Sequence, residues 1–389
     1  MTEAKYKLRV PRTRKGTVQL LVGTRKGAFR IKSDAARKTW KVMSTWFLGS
    51  VVHHLVEDPR RKGYLLCAAR TKDLGPTIFR SEDGGKNWKE ATKPPEFGTA
   101  PEELLQRTVN HTFWLAPGHS DEPDCWYAGT SPQGLFRSRD GGRTWKAVKG
   151  LNNHPDLDLW TGGDKDQTPD GPKLHSIQVD PRDPRHLYVG MSSGGVFESV
   201  DTGRSWAPLN QGCIMDRTPG EPDHGHDPHC MGMAPTNPDR LWLQDHWGIY
   251  AMDREEGKWD RVGDNMPKEI GDVGFGIVLH PKNADCAYVF PMDSGDDWSR
   301  TSPNGQPAVY CTTDRGKSWK RLDKGFPQEH AHWTVKRQCM AHDGHDPLGV
   351  YLGNTGGEIW ASTNAGRSWK GIARHLPHIY SLEVSGVRP

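Results

Sequence analysis

The chain has 389 residues, with 52 Lys and Arg against 48 Asp and Glu, and these charges are scattered along its length. Such a balance gives no footprint for a nucleic acid or a membrane surface, and no stretch approaches the length of an apolar span. Gly (44), Pro (29) and Trp (16) are plentiful while long amphipathic helical runs are absent, so many short strands joined by tight turns are expected.

Taken in chain order, residues 1–16 carry no apolar leader core, and a soluble cytoplasmic protein is the expectation. A strand at 17–23 (TVQLLVG) follows, then Ser33 to Trp40, which ends in Trp but lacks the Gly spacing of the segments after it. Five later segments share the pattern Ser/Thr-x-Asp-x-Gly-x-x-Trp: Ser81 to Trp88, Ser138 to Trp145, Ser199 to Trp206, Thr312 to Trp319 and Ser362 to Trp369, the last with Asn364 for Asp. Met252 to Trp259 is a second decayed copy. In each, the acid or amide can accept bonds from turn amides, Gly supplies a positive φ and Trp staples the turn to its sheet.

The context of each copy is also shared. An apolar strand ending in Pro, such as HSIQVDP (175–181), precedes HLYVGM (186–191), GVFESV (195–200), the turn, and a short strand opening at Trp. Four strands per repeat make one propeller blade. Trp40, Trp88, Trp145, Trp206, Trp259, Trp319 and Trp369 mark seven of them. The predicted fold is therefore all-β: a single seven-bladed β-propeller of four-stranded antiparallel blades. Blades are expected at about 17–45 plus 378–385, 50–93, 109–150, 174–210, 228–263, 273–323 and 336–373. The first blade begins at its second strand, and HIYSLEV (378–384) supplies the missing one, closing the ring and hiding its edges. LRVP (8–11) is the competing candidate for that strand.

The five segments resemble the Asp-box, or bacterial neuraminidase repeat, of sialidase-like propellers. In that likeness the boxes are structural. Arg9 of LRVP is similar to the arginine of the sialidase Phe/Tyr-Arg-Ile-Pro segment, but no full arginine triad or Tyr–Glu pair can be placed.

Function is expected at the opposite end of the channel, where long polar loops (89–110, 150–174, 207–228 and 320–336) enter the first strands. Six residues before Pro59, Pro117, Pro181 and Pro235 stand His53, His111, His175 and His229; Phe275, Arg337 and Tyr380 occupy the same column. Four imidazoles at one channel mouth suit a divalent transition metal such as Zn, Mn, Fe or Cu, and packing between blades is the plainer alternative. Arg337, Tyr380, His226 and Asp227 are the candidate catalytic groups, and Arg25, Arg70, His246 and Trp160 the candidate substrate contacts. His224 belongs to the same acid-rich loop, and Asp158 with Asp227 is a possible carboxylate pair.

Three functions fit these residues: a metal-assisted lyase or hydrolase acting on a uronate-like or other small anionic substrate, a metal-independent sialidase-like glycoside hydrolase, or a non-catalytic scaffold. The expected ligand is a small molecule or glycan, with no nucleic acid, membrane or obligate protein partner. The seven cysteines form no CxxC pair and are expected to be free thiols.

Overall fold

A computed structural model of the chain describes residues 13–98, 107–161, 171–215, 223–293 and 299–387. Its strands form seven four-stranded antiparallel sheets. The first strands of blades 2 to 7 are Val51–Glu57, His111–Pro117, Leu174–Val179, Pro228–Ala234, Gly274–Leu279 and Met340–His342. Blade 1 takes its first strand from the other end of the chain. Ile379–Val384 pairs antiparallel with Gln19–Thr24, with Leu20 opposite Val384 and Val22 opposite Leu382. The expected closure is thus present, and LRVP lies outside the described residues. Blade 7 differs from expectation in its length. The chain turns between Lys336 and Cys339, and Gln338 bridges in parallel to Ser381 of blade 1 instead of joining its own sheet.

The box turns bond as their residue types require. Ser81 Oγ accepts from the Gly85 amide at 2.8 Å, and Asp83 Oδ1 accepts from the amides of Lys86 and Asn87 at 3.0 and 2.9 Å. In blade 7, Asn364 Oδ1 takes the Ser368 amide at 2.9 Å, so the amide side chain seats in the same turn. The decayed copy at Ser33 keeps part of this geometry, with Asp34 Oδ1 accepting from the Lys38 amide at 2.7 Å. Trp319 and Trp369 donate their indole N–H groups to Val262 and Leu322 carbonyls of the preceding blade. These two boxes therefore tie neighbouring blades together, whereas Trp145 and Trp206 donate to Gly142 and Gly203 of their own boxes.

Near the axis the blades approach until side chains must shrink. Gly23, Gly129, Gly190 and Gly353 lie on second strands that face the next blade, and a Cβ on Gly129 would stand 2.2 Å from the Leu174 carbonyl oxygen. All seven cysteines are free. No helix among the described residues is long and apolar enough to cross a membrane.

Alternation along antiparallel strands puts the start of every first strand and the hairpin between second and third strands at one end of the channel. The boxes, which follow third strands, lie at the other. At the functional end the ladder is broken repeatedly. Register shifts fall at 52–54, 112–114, 175–178, 228–230 and 274–277, with His53, Phe113, His229 and Phe275 among the extra, unpaired residues. Such bulges bend a strand and re-aim its side chains.

Candidate functional site at the channel mouth

The expected column does converge, but into two groups and not one cage. His53 stacks on His111 with ring centroids 4.0 Å apart, and Tyr380 lies 5.1 Å from His53. Phe113 separates His111 from His175, at 6.2 and 6.3 Å. On the far side of the mouth, His229 packs 4.7 Å from Phe275, over which the Arg337 guanidinium lies at 5.0 Å. A single four-imidazole ligand set is therefore absent: two of the rings are face to face, which turns their nitrogens aside from a common centre. Among the described residues, the set of three donors within 4.8 Å of one another is Asp227, His229 and His246.

This trio is assembled by blade 5. Pro228 pairs with Asp245, so Asp227 and His246 face each other just beyond the ladder, and the His246 amide bonds the Asp227 carbonyl at 3.0 Å. His246 occupies the two-residue hairpin before Gly248. The bulge at His229 brings its ring over the same point, where Nε2 lies 3.4 Å from Asp227 Oδ2 and from His246 Nδ1. On its other edge His229 Nδ1 donates to the Gly274 carbonyl at 2.6 Å.

Burial and charge set the protonation pattern. Burial works against ionised Asp227, yet the facing His229 and His246 rings and the nearby Arg337 hold its carboxyl well below the usual range. Burial, then Arg337, pushes His229 down to about 4. His53 is driven well below its ordinary value by burial first and then by His111, Lys173, Arg70 and Lys336. His175 follows the same rule, with burial ahead of Arg337. Neighbouring Asp245 is fully buried and raised to about 8, burial again leading. At neutral pH the mouth therefore presents neutral His53, His175 and His229, the ionised Asp227 carboxylate and a surrounding set of cations.

Several sequence-based candidates are placed elsewhere or differently. Trp160 is 5% exposed, with His154 at 4.0 Å and Phe197 at 4.5 Å on its ring, so it packs a blade and offers no open face to a sugar. Asp158 sits exposed on the short helix Leu157–Thr161, where it acts on Arg107. His226 is buried beside the trio without being one of its donors. His224 is half-buried in the same loop. Arg70 is exposed at the mouth and acts on His53; exposed Arg25 is on the blade 1 hairpin, its amide bonded to the His378 carbonyl at 2.9 Å. Arg9 lies outside the described residues.

Other groups were missed. Lys173 lies with its ammonium 5.7 Å from the Phe113 ring, and Lys336 approaches Tyr380 at 5.8 Å. Their positions just ahead of His175 and Arg337 were the available signal. Gln338 was invisible to a blade-by-blade reading: its Nε2 donates to the Phe113 carbonyl at 2.9 Å, from blade 7 to blade 3. That bond crosses the axis. With His54, which accepts from the Leu115 amide at 2.9 Å and faces Glu383 at 3.1 Å, it gives the mouth a floor.

A closed seven-bladed propeller with Asp-box turns and a cluster of polar side chains at one channel end is the class of protein that fold and site define. Comparison with known proteins agrees at that level. The model of the BNR-Asp box repeat matches residues 78–91. An oligoxyloglucan-reducing end-specific xyloglucanase of Emericella nidulans is 22% identical over 357 residues, covering 82% of this chain and 39% of that protein. Xyloglucanase Xgh74A of Acetivibrio thermocellus is 23% identical over 312 residues, covering 72% and 33%. The crystal structure of the GH74 xyloglucanase from Xanthomonas campestris superposes with a TM-score of 0.63 at 18% identity, over 93% of this chain and 53% of that one. The chain thus spans well under two thirds of each of these proteins, and what is shared with the solved structure is the propeller.

Proposed function

We propose that this chain binds and hydrolyses a carbohydrate bearing an acidic group, with the channel mouth as its site. The observation that carries this reading is the gathering of Arg70, Lys173, Lys336 and Arg337 around neutral imidazoles and one ionised carboxylate. Cations clustered at one end of the channel raise the local concentration of an anionic ligand. The carbohydrate class is supported by the names of the curated relatives, xyloglucanases from two organisms. The acidic group is this chain's own feature.

In this reading Arg337 and Lys173 hold the anionic group, and Asp227 with its two imidazoles orients a water. The water oxygen bonds to the anomeric carbon as the glycosidic C–O bond breaks; its proton passes to Asp227, and the leaving oxygen takes one from Tyr380. A sialidase-type assignment has less support, since it rests on Arg9 and a triad that is not assembled among the described residues. Contact between neutral His53 and Tyr380 favours one second reading, β-elimination next to a uronate carboxylate, with those two groups moving the proton.

The test is a panel of uronate-containing oligosaccharides and xyloglucan fragments, scored by new reducing ends and by ultraviolet absorbance of an unsaturated product. Cleavage of acidic members with no absorbing product is expected. Asp227→Asn should lower kcat by about 10²–10⁴-fold, and Arg337→Ala should act mainly on KM. An absorbing product would select elimination, and failure to bind or cleave any acidic member would overturn the proposal.

A further inference from the structure

We propose that Asp227, His229 and His246 form a divalent transition-metal site at the channel mouth; this deepens the reading above by naming the ion that would orient its water. The geometry argues first. His229 Nε2, His246 Nδ1 and Asp227 Oδ2 stand 3.4, 3.4 and 3.5 Å apart, a nearly equilateral triangle. Good N–H···O and N–H···N bonds are shorter, about 2.7–3.2 Å. A tetrahedral ion about 2.1 Å from imidazole nitrogen and carboxylate oxygen spaces its ligands by roughly 3.4 Å. The triangle is therefore long for hydrogen bonding and the right size for a metal.

Tautomer chemistry argues second. A carbonyl only accepts, so the 2.6 Å contact with Gly274 places the proton on His229 Nδ1 and leaves an Nε2 lone pair aimed at Asp227 and His246. Two acceptors facing each other repel unless a cation, or a proton on His246 Nδ1 at 3.4 and 3.5 Å from them, lies between them. A backbone carbonyl behind the ring is also how metal-bound imidazoles are oriented. The third observation is Asp227 Oδ1, buried and without a hydrogen-bond partner among the described residues. The carboxylate is thus not committed elsewhere.

Two imidazoles and one carboxylate, with the remaining positions open, suit Zn, Mn, Fe, Ni or Cu. Ca and Mg prefer oxygen ligands throughout. A divalent ion beside Asp227 leaves the mouth positive, with Arg337 adjacent. An anionic substrate supplies the balancing charge. The assignment shares His229 with the column of four histidines and replaces the other three.

The experiment uses the full chain without an affinity tag, dialysed against chelator and titrated with Co²⁺ under visible absorption. Saturable uptake of one ion per chain is expected, weakened more than about 100-fold by Asp227→Ala and by His246→Ala, and retained in His53→Ala. Near-ultraviolet dichroism checks folding; His246→Gln, at a hairpin turn, carries the test if Asp227→Ala does not fold. No saturable uptake by the folded wild type would overturn the site. So would uptake that survives both ligand changes or is lost only in His53→Ala. Cleavage of acidic glycans that persists after exhaustive chelation would sink the metal and leave the hydrolase reading standing, whereas Co²⁺ uptake without turnover of any glycan would do the reverse.

Discussion

A single buried acid shows how much one residue can hold in this ring. Asp343 is inaccessible and receives the Arg37 guanidinium at 2.8 Å, the Tyr351 hydroxyl at 2.8 Å and the amides of Gly349 and His345 at 2.8 and 2.9 Å. Arg37 belongs to blade 1 and Asp343 to blade 7, so the pair latches the ring beside its closing strand. Removing the carboxylate strands a buried cation and three further donors. Asp343→Ala is expected to lower unfolding free energy by about 3–5 kcal/mol in urea titrations, with Asp343→Asn costing less because an oxygen remains. Sequence reading passed over this residue, since an Asp near a turn is ordinary until its partners are known. His53 and His54 teach the same lesson. The bulge sends the first to the mouth, while the second braces three blades, and nothing in their adjacency distinguishes them.

Among elements, the box turn was the most legible, because the partners of its hydroxyl and its Asp or Asn side chain lie within eight residues. Its carboxylates are held down from 3.8 to about 2 in Asp83, Asp201 and Asp314. For Asp83 the Asn87 amide is the largest cause and for Asp314 the Ser318 hydroxyl; in Asp201 the turn bonds outweigh burial, which acts the other way. A folded pKa below the unfolded one adds stability above the unfolded value and loses it as pH falls through the folded one, so the window runs from about pH 4 down to about pH 2. Replacing all three acids by Asn, which Asn364 shows to fit the turn, should lower the melting temperature slightly at neutral pH. That gap should close as pH falls through the window. A gap independent of pH would mean the turns are held by shape alone. The first strands were less legible than the boxes: their repeat located His229, but the register shift that aims it depends on the neighbouring strand.

For the whole molecule, the limiting dimension is the distance between blades at the axis. Gly129 of blade 3 faces the Leu174 carbonyl of blade 4, a backbone atom that cannot rotate away. Gly129→Ala should therefore cost about 1–3 kcal/mol or more by forcing two blades apart. Gly98 has open space around the position of a Cβ, and Gly98→Ala is the control, expected to stay within about 0.5 kcal/mol in the same denaturant titration. Equal effects at the two sites would remove close blade approach as the reason for the glycines.

What the sequence determined by itself was the repeat: seven blades, four strands in each, boxes at one end, and a final strand left over to close the first sheet. Those features are local or are copied along the chain, so each copy reinforces the others. The mouth was decided by tertiary structure. Asp227 meets His229 and His246 because two strands of blade 5 pair in one register and one of them bulges. Trp160 turns inward because Phe197 and His154 cover its ring. Lys173, Lys336 and Arg337 act together because a closed ring brings blades distant in sequence to one axis. Periodicity can say which strand a residue occupies; only closure and register say what it meets.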